Sequence, residues 1–260
     1  MKKLFALLLL LCLIVTSSAY ANEGSIPAIK ARGYIKVGTT GDYAPQSWLN
    51  PITSAYEGFD TELTEDLAKA LGVEIQYAPT SWPGLMKDTL ENKFDLAICG
   101  ITITQARKDQ ALMSIGYLGN GKTILIRTED VDKYKSLDDI NKPSVKVMEN
   151  PGGLNEKFAR ENLPMATLII HSPNDEIPGL IADGQADVMI TEILEAGYYV
   201  RKDSRLAAPL IHSPFNHGEL GVLMPKGKED LLNFVNDFIL QEKESGRIDD
   251  LAKKYIYGNE

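Results

Sequence analysis

Short β-rich runs alternate with amphipathic segments along most of this chain, and that alternation restricts the fold more than any other feature. Runs at 35–40, 73–78, 94–99, 123–126, 144–148, 166–170 and 186–190 read as strands, because they are rich in β-branched and aromatic residues and bounded by turn formers. Between them, 60–71 places Leu63, Leu67, Ala70 and Leu71 on one helical face, with Gly72 as a stop. Helices also fit 83–90, 154–161, 175–183 and 192–200, and 228–255 reads as two helices broken near Ser245 and Gly246. Parallel neighbours need a long crossover, usually a helix, so this order implies an α/β protein with mostly parallel sheets flanked by helices. No internal repeat or low-complexity tract interrupts it.

The first residues read as a cleavable secretory signal: Lys2 and Lys3, an apolar run over 4–15, and the small-residue site Ala19-Tyr20-Ala21. Leu11 before Cys12 is not the small residue a lipid-anchored precursor needs. No later stretch approaches the roughly 20 apolar residues of a membrane span, so the processed chain is expected free in the periplasm, without membrane insertion. Loss of two lysines and no acid takes the formal charge from −9 to −11, which repels phosphate backbones and argues against nucleic acid. Cys12 leaves with the signal, so Cys99 has no partner for a disulfide within the chain, and after Leu96-Ala97-Ile98 it reads as a buried apolar residue. His171, His212 and His217 form no ligand-spaced cluster with a cysteine, and neither a metal nor another cofactor is expected.

One segment carries the functional signal. The strand ending in Cys99 runs through Gly100-Ile101-Thr102-Ile103-Thr104 into a helix whose first turn holds Arg107. A guanidinium fork can take a carboxylate by two parallel hydrogen bonds, with the Thr102 hydroxyl and backbone amides completing the anion site. This string resembles the ligand-carboxylate site of the family 3 extracellular solute-binding proteins, as do Gly58-Phe59-Asp60 and Ala186-Asp187-Val188-Met189 before Thr191-Glu192. The resemblance implies a two-lobed periplasmic binding protein fold of type II, with the ligand in the cleft between lobes. Residues 22–122 would begin the first lobe, 123–213 form the second, and 214–260 return to the first with the C-terminal helices.

Within that family, Thr39-Thr40-Gly41-Asp42-Tyr43, Pro79-Thr80-Ser81-Trp82-Pro83, Gly121-Lys122-Thr123 and the string from Asn150 to Arg160 are similar to the cyclohexadienyl dehydratases, which act on prephenate or arogenate. That likeness implies Glu195 as a general acid, three residues from Glu192 on one helical face. It further implies Arg107 and Thr102 on one carboxylate and Lys122 on a second, with Tyr43 and Trp82 walling the ring. Asp42, Asn150 and Asn155 would add polar contacts, and Gly152 and Gly153 would let the backbone approach the ligand. In the family's carriers the acid at Glu192 holds a ligand ammonium. A carrier would pass an amino acid or related carboxylate to a membrane permease of an ABC importer, and needs no Glu195. Three positions depart from the dehydratase pattern: Leu154 replaces a hydroxyl-bearing threonine, Leu220 replaces a lysine, and Pro178 falls within the helix expected after Asn174.

Overall fold

The computed structural model describes residues 24–258, so the secretory signal lies outside the described residues. Two five-stranded sheets form the body of the molecule. In the first, Glu74–Pro79, Tyr34–Thr39 and Leu96–Ala97 run parallel, and Leu223–Met224 and Leu112–Met113 extend the sheet antiparallel. In the second, Thr167–Ile170, Lys146–Glu149 and Val188–Glu192 run parallel, and Lys122–Arg127 and Leu206–Ala207 complete it antiparallel. Two passages of chain join the sheets, and they pair with each other: Leu118–Asn120 lies antiparallel to Gly218–Leu220.

Each sheet has its own core. Ile35, Val37, Leu63, Leu67 and Leu96 are sealed on one side of the first, where helix Phe59–Leu71 buries Leu63, Leu67 and Leu71 as its spacing predicts, but with Ala68 on the buried face in place of Ala70, which is exposed. Ile124, Ile126, Val147, Val188 and Ile190 are fully buried around the second. Residues of this kind are each worth about 1.5–3 kcal/mol of burial, and successive residues of Lys122–Arg127 and Val188–Glu192 are buried alike, as expected of a sheet covered on both faces. Cys99 is also sealed in apolar surroundings, and burial pushes its thiol up to about 12, so it is an inert core residue.

Several expected elements differ from those observed. The strand expected at 94–99 is only Leu96–Ala97, because its pairing with Tyr34–Thr39 ends at Ala97, ahead of the turn at Gly100. The strand expected at 186–190 is Val188–Glu192, which puts Glu192 at a strand end and starts the helix at Ile193–Lys202. The helix expected at 175–183 is a 3₁₀ turn, Asn174–Glu176, followed by the α-helix Ile177–Ala182. Pro178 therefore begins a helix rather than interrupting one, at a position where its missing N–H is not needed. The C-terminal part breaks near Ser245 as expected, into Glu229–Glu244 and Arg247–Ala252, but then continues as a π-helical turn, Lys253–Tyr257. Among the described residues no helix is long and apolar enough to cross a membrane.

Candidate functional site

The carboxyl ends of the parallel strands in both sheets face a cleft, the position where open α/β sheets bind ligands. A cavity of about 30 Å³ lies there, lined by Tyr43, Trp82, Arg107, Lys122, Asn150 and Glu192 among others. The lobes touch around it: a Cβ on Gly152 in the second lobe would come within 2.7 Å of Pro83 in the first.

On the first lobe, helix Gln105–Gln110 is capped by the Thr104 hydroxyl, which accepts from the Arg107 backbone N–H at 3.2 Å. The Arg107 guanidinium is buried and donates to the Thr102 carbonyl at 2.6 Å, which aims it into the cavity wall. Gly100, on the same wall, has φ +75°, and a Cβ there would strike the Tyr43 ring at 2.3 Å. The buried Asp60 carboxylate accepts from the Gly100 N–H at 2.5 Å and from the Tyr117 hydroxyl at 2.7 Å, pinning this turn from behind.

The second lobe supplies a network of paired charge. Register places Lys122 directly opposite Glu192 on adjacent antiparallel strands, and their side chains meet at 2.7 Å, both almost fully buried. Glu192 also accepts from Thr102 at 3.0 Å, Asn120 at 2.8 Å and the Tyr43 hydroxyl at 2.5 Å. Burial alone would push this carboxyl up, but the Lys122 charge and these hydrogen bonds hold it below the usual value. Lys122 donates further to the Asn155 Oδ1. Asn155 lies in the first turn of Leu154–Asn162, whose positive end faces the cavity. Glu156 in that turn accepts from the Gly152 N–H at 2.6 Å and so fixes the glycine loop.

Glu195 is buried beside this network but does not line the cavity. Its Oε1 accepts from Asn174 Nδ2 at 2.7 Å, and its Oε2 takes the Thr191 hydroxyl. Burial pushes its carboxyl up to about 8 against those two hydrogen bonds, with Glu192 and Asp42 adding to the rise, so it is a protonated acid at neutral pH.

Of the residues singled out in the sequence, Arg107, Thr102, Lys122, Tyr43, Trp82, Asn150, Gly153, Asn155 and Glu192 line one cavity. Asp42, Gly152 and Glu195 stand behind it: Asp42 accepts from the Trp82 indole at 3.1 Å, and Gly152 packs on Pro83. Leu154 lines the cavity, whereas Leu220 is sealed in the first core. Sequence reasoning missed Gly100 and Asn174 as wall residues. A glycine at the strand end, within the motif already noted, was the available signal, and its φ of 75° shows why glycine stands there. Asn174 left none, because its partners are far away in the chain.

Two α/β lobes around a cleft lined by buried charged residues define a solute-binding fold of the periplasmic type. The chain belongs to the bacterial extracellular solute-binding proteins, family 3, whose model matches residues 35–258. It is 37% identical to the cyclohexadienyl dehydratase of Pseudomonas aeruginosa over 91% of this chain and 87% of that protein. It is 30% identical to the L-cystine-binding protein TcyJ of Escherichia coli K12, over 92% of this chain and 88% of that one. Among solved structures it is similar to an ancestral amino acid-binding protein described as a precursor of cyclohexadienyl dehydratase: TM-score 0.82, 37% identity, 89% of this chain and 99% of that one. An ancestral cyclohexadienyl dehydratase matches at 48% identity with TM-score 0.56, over 88% of this chain and 95% of that one.

Proposed function

We propose that this protein is a periplasmic cyclohexadienyl dehydratase, converting prephenate or arogenate to phenylpyruvate or phenylalanine with loss of water and carbon dioxide. The observation that carries this reading is Glu195: a carboxyl buried at the back of the cleft, held by Asn174 and Thr191 and protonated at neutral pH. In the proposed reaction, Arg107 takes the side-chain carboxylate of the substrate. Lys122 and the first turn of Leu154–Asn162 orient the ring carboxylate, and Tyr43 and Trp82 flank the ring. Glu195 gives its proton to the ring hydroxyl, which leaves as water. The electrons of the breaking C–CO₂ bond enter the ring, carbon dioxide departs, and the ring becomes aromatic. Each element of this step comes from the substrate or from one proton on Glu195.

A second reading has support from TcyJ and from the ancestral amino acid-binding protein: a carrier that hands an amino acid to an ABC permease. The Glu192 carboxylate weighs against it, since the group that would hold a ligand ammonium already accepts from Lys122, Tyr43, Thr102 and Asn120.

Purified protein incubated with prephenate and with arogenate is expected to release phenylpyruvate and phenylalanine. Formation of neither product, together with calorimetric binding of an amino acid, would leave the carrier. In either role the lobes, 22–122 with 214–260 and 123–213, would part to admit ligand by bending at the paired strands Leu118–Asn120 and Gly218–Leu220. X-ray scattering that shows no compaction of Glu195→Gln at saturating prephenate would count against that motion.

A further inference from the structure

Asn174 stands where the two lobes meet at the cavity wall, on the 3₁₀ turn Asn174–Glu176 of the second lobe, and is almost fully buried. Its Nδ2 donates in two directions: to Glu195 Oε1 at 2.7 Å within its own lobe, and to the Asp42 carbonyl at 3.3 Å across the cleft. Its backbone N–H reaches the Asp42 carboxylate at 3.4 Å. The next residue repeats the pattern, because Asp175 accepts from the Trp48 indole of the first lobe at 3.1 Å. A primary amide has two N–H groups, and here one serves each lobe, so the amide cannot turn without losing a bond on one side. Asn174 Oδ1 has no partner among the described residues and remains an acceptor for a ligand hydroxyl.

We propose that Asn174 is a positioning residue that fastens the Glu195 carboxyl while Asp42 fastens Asn174, so that lobe closure and placement of the acid are one event. When the lobes part, the bonds to Asp42 are lost, and nothing from the first lobe then holds the amide against Glu195. The dehydratase reading enters only in the use made of that carboxyl. The groups facing Glu195 are the carboxylates of Glu192 and Asp42, the hydroxyls of Thr191, Tyr43 and Tyr199, the Asn174 amide and, farther off, the carboxyl of Glu149.

The test titrates Glu195 itself, without turnover, in protein closed on saturating phenylpyruvate. The carbonyl stretch of its protonated carboxyl is followed by difference infrared spectroscopy and assigned by its loss in Glu195→Gln. Asn174→Leu keeps the branching and heavy-atom count of the side chain and removes a donor that favours the ionised form, so the midpoint is expected to rise by about one pH unit. Asp42→Asn, in the opposite lobe, removes a like charge and is expected to lower it. An unchanged or lowered midpoint in Asn174→Leu would overturn the fastening. An unchanged midpoint in Asp42→Asn, which stands even where Asn174→Leu fails to fold, would show that the first lobe does not reach Glu195 and overturn the coupling. Wild-type protein inert toward prephenate and arogenate would remove the dehydratase reading, and these midpoints would still decide the role of Asn174.

Discussion

On the first lobe's wall, Arg107 meets the cavity as a cation tied to the Thr102 carbonyl, whereas on the second lobe's wall Lys122 meets it already paired with Glu192 at 2.7 Å. Both cations are buried, yet only the first keeps its charge available to a ligand. In the proposed function, a carboxylate entering the cleft would take its charge partner from the first lobe. The second lobe would contribute orientation through fixed donors, together with the acid, Glu195. On that reading the first wall could serve a carrier or a catalyst alike, and the second would decide between them.

Removing the acid should have the largest effect. Glu195→Gln keeps the shape and the ability to bond Asn174 or Thr191 but has no transferable proton. Turnover of prephenate or arogenate is expected to fall by roughly 10²–10⁴-fold with little change in KM. Equal turnover in wild type and variant would place the acid elsewhere and dissolve the contrast between the walls.

Lys122→Met should come next, and it acts on stability. It leaves the Glu192 carboxylate buried without its cation, a loss of roughly 3–5 kcal/mol. Replacing Glu192 by Gln in the same chain should restore much of it. Urea unfolding of the single and double variants measures both, and a single variant as stable as wild type would mean that the pair is open to water.

Arg107→Ala should be smaller and of a different kind. Loss of a charged hydrogen-bond partner costs roughly 1.5–3 kcal/mol, or about 10- to 100-fold in Kd. The loss should appear in calorimetry with prephenate on a Glu195→Gln background, and the stability loss should be less than that of Lys122→Met. A large fall in stability with unchanged affinity would reverse the roles of the two cations.

The contrast between the walls also governs what was readable from sequence. Arg107 and Thr102 fall within one short string whose strand, turn and helix form locally, so their convergence follows from the order of residues alone. Lys122 and Glu192 are 70 residues apart, and only the antiparallel register of their strands joins them. The expected helix start at Glu192 concealed this, because a strand end has different neighbours from a helix start. Asn174 and Asp42 are 132 residues apart and meet only through packing of one lobe on the other. Periodicity located most of the sheet strands and the larger helices, but not short elements such as Leu112–Met113 and Leu223–Met224, whose pairing is decided by tertiary contact.

The smallest effect is a slope. Burial pushes the Glu195 carboxyl up from the ordinary 4.5 to about 8, so the folded chain keeps a proton that the unfolded chain releases. Stability from this group is therefore full below about pH 4.5, is lost as pH rises toward about 8, and is level beyond. The fall is at most about 1.4 kcal/mol per pH unit within that window. Glu195→Gln does not titrate, so its stability should gain on wild type between pH 5 and pH 8. Asp60, which burial pushes up to about 7, slopes the same way in both proteins and cancels from the difference. Urea unfolding of the pair at several pH values reads that difference directly, and a constant value would mean that Glu195 is solvated in the folded protein. Arg107→Ala supplies the control from the other wall: its guanidinium stays charged throughout the window, so its difference from wild type should not change with pH.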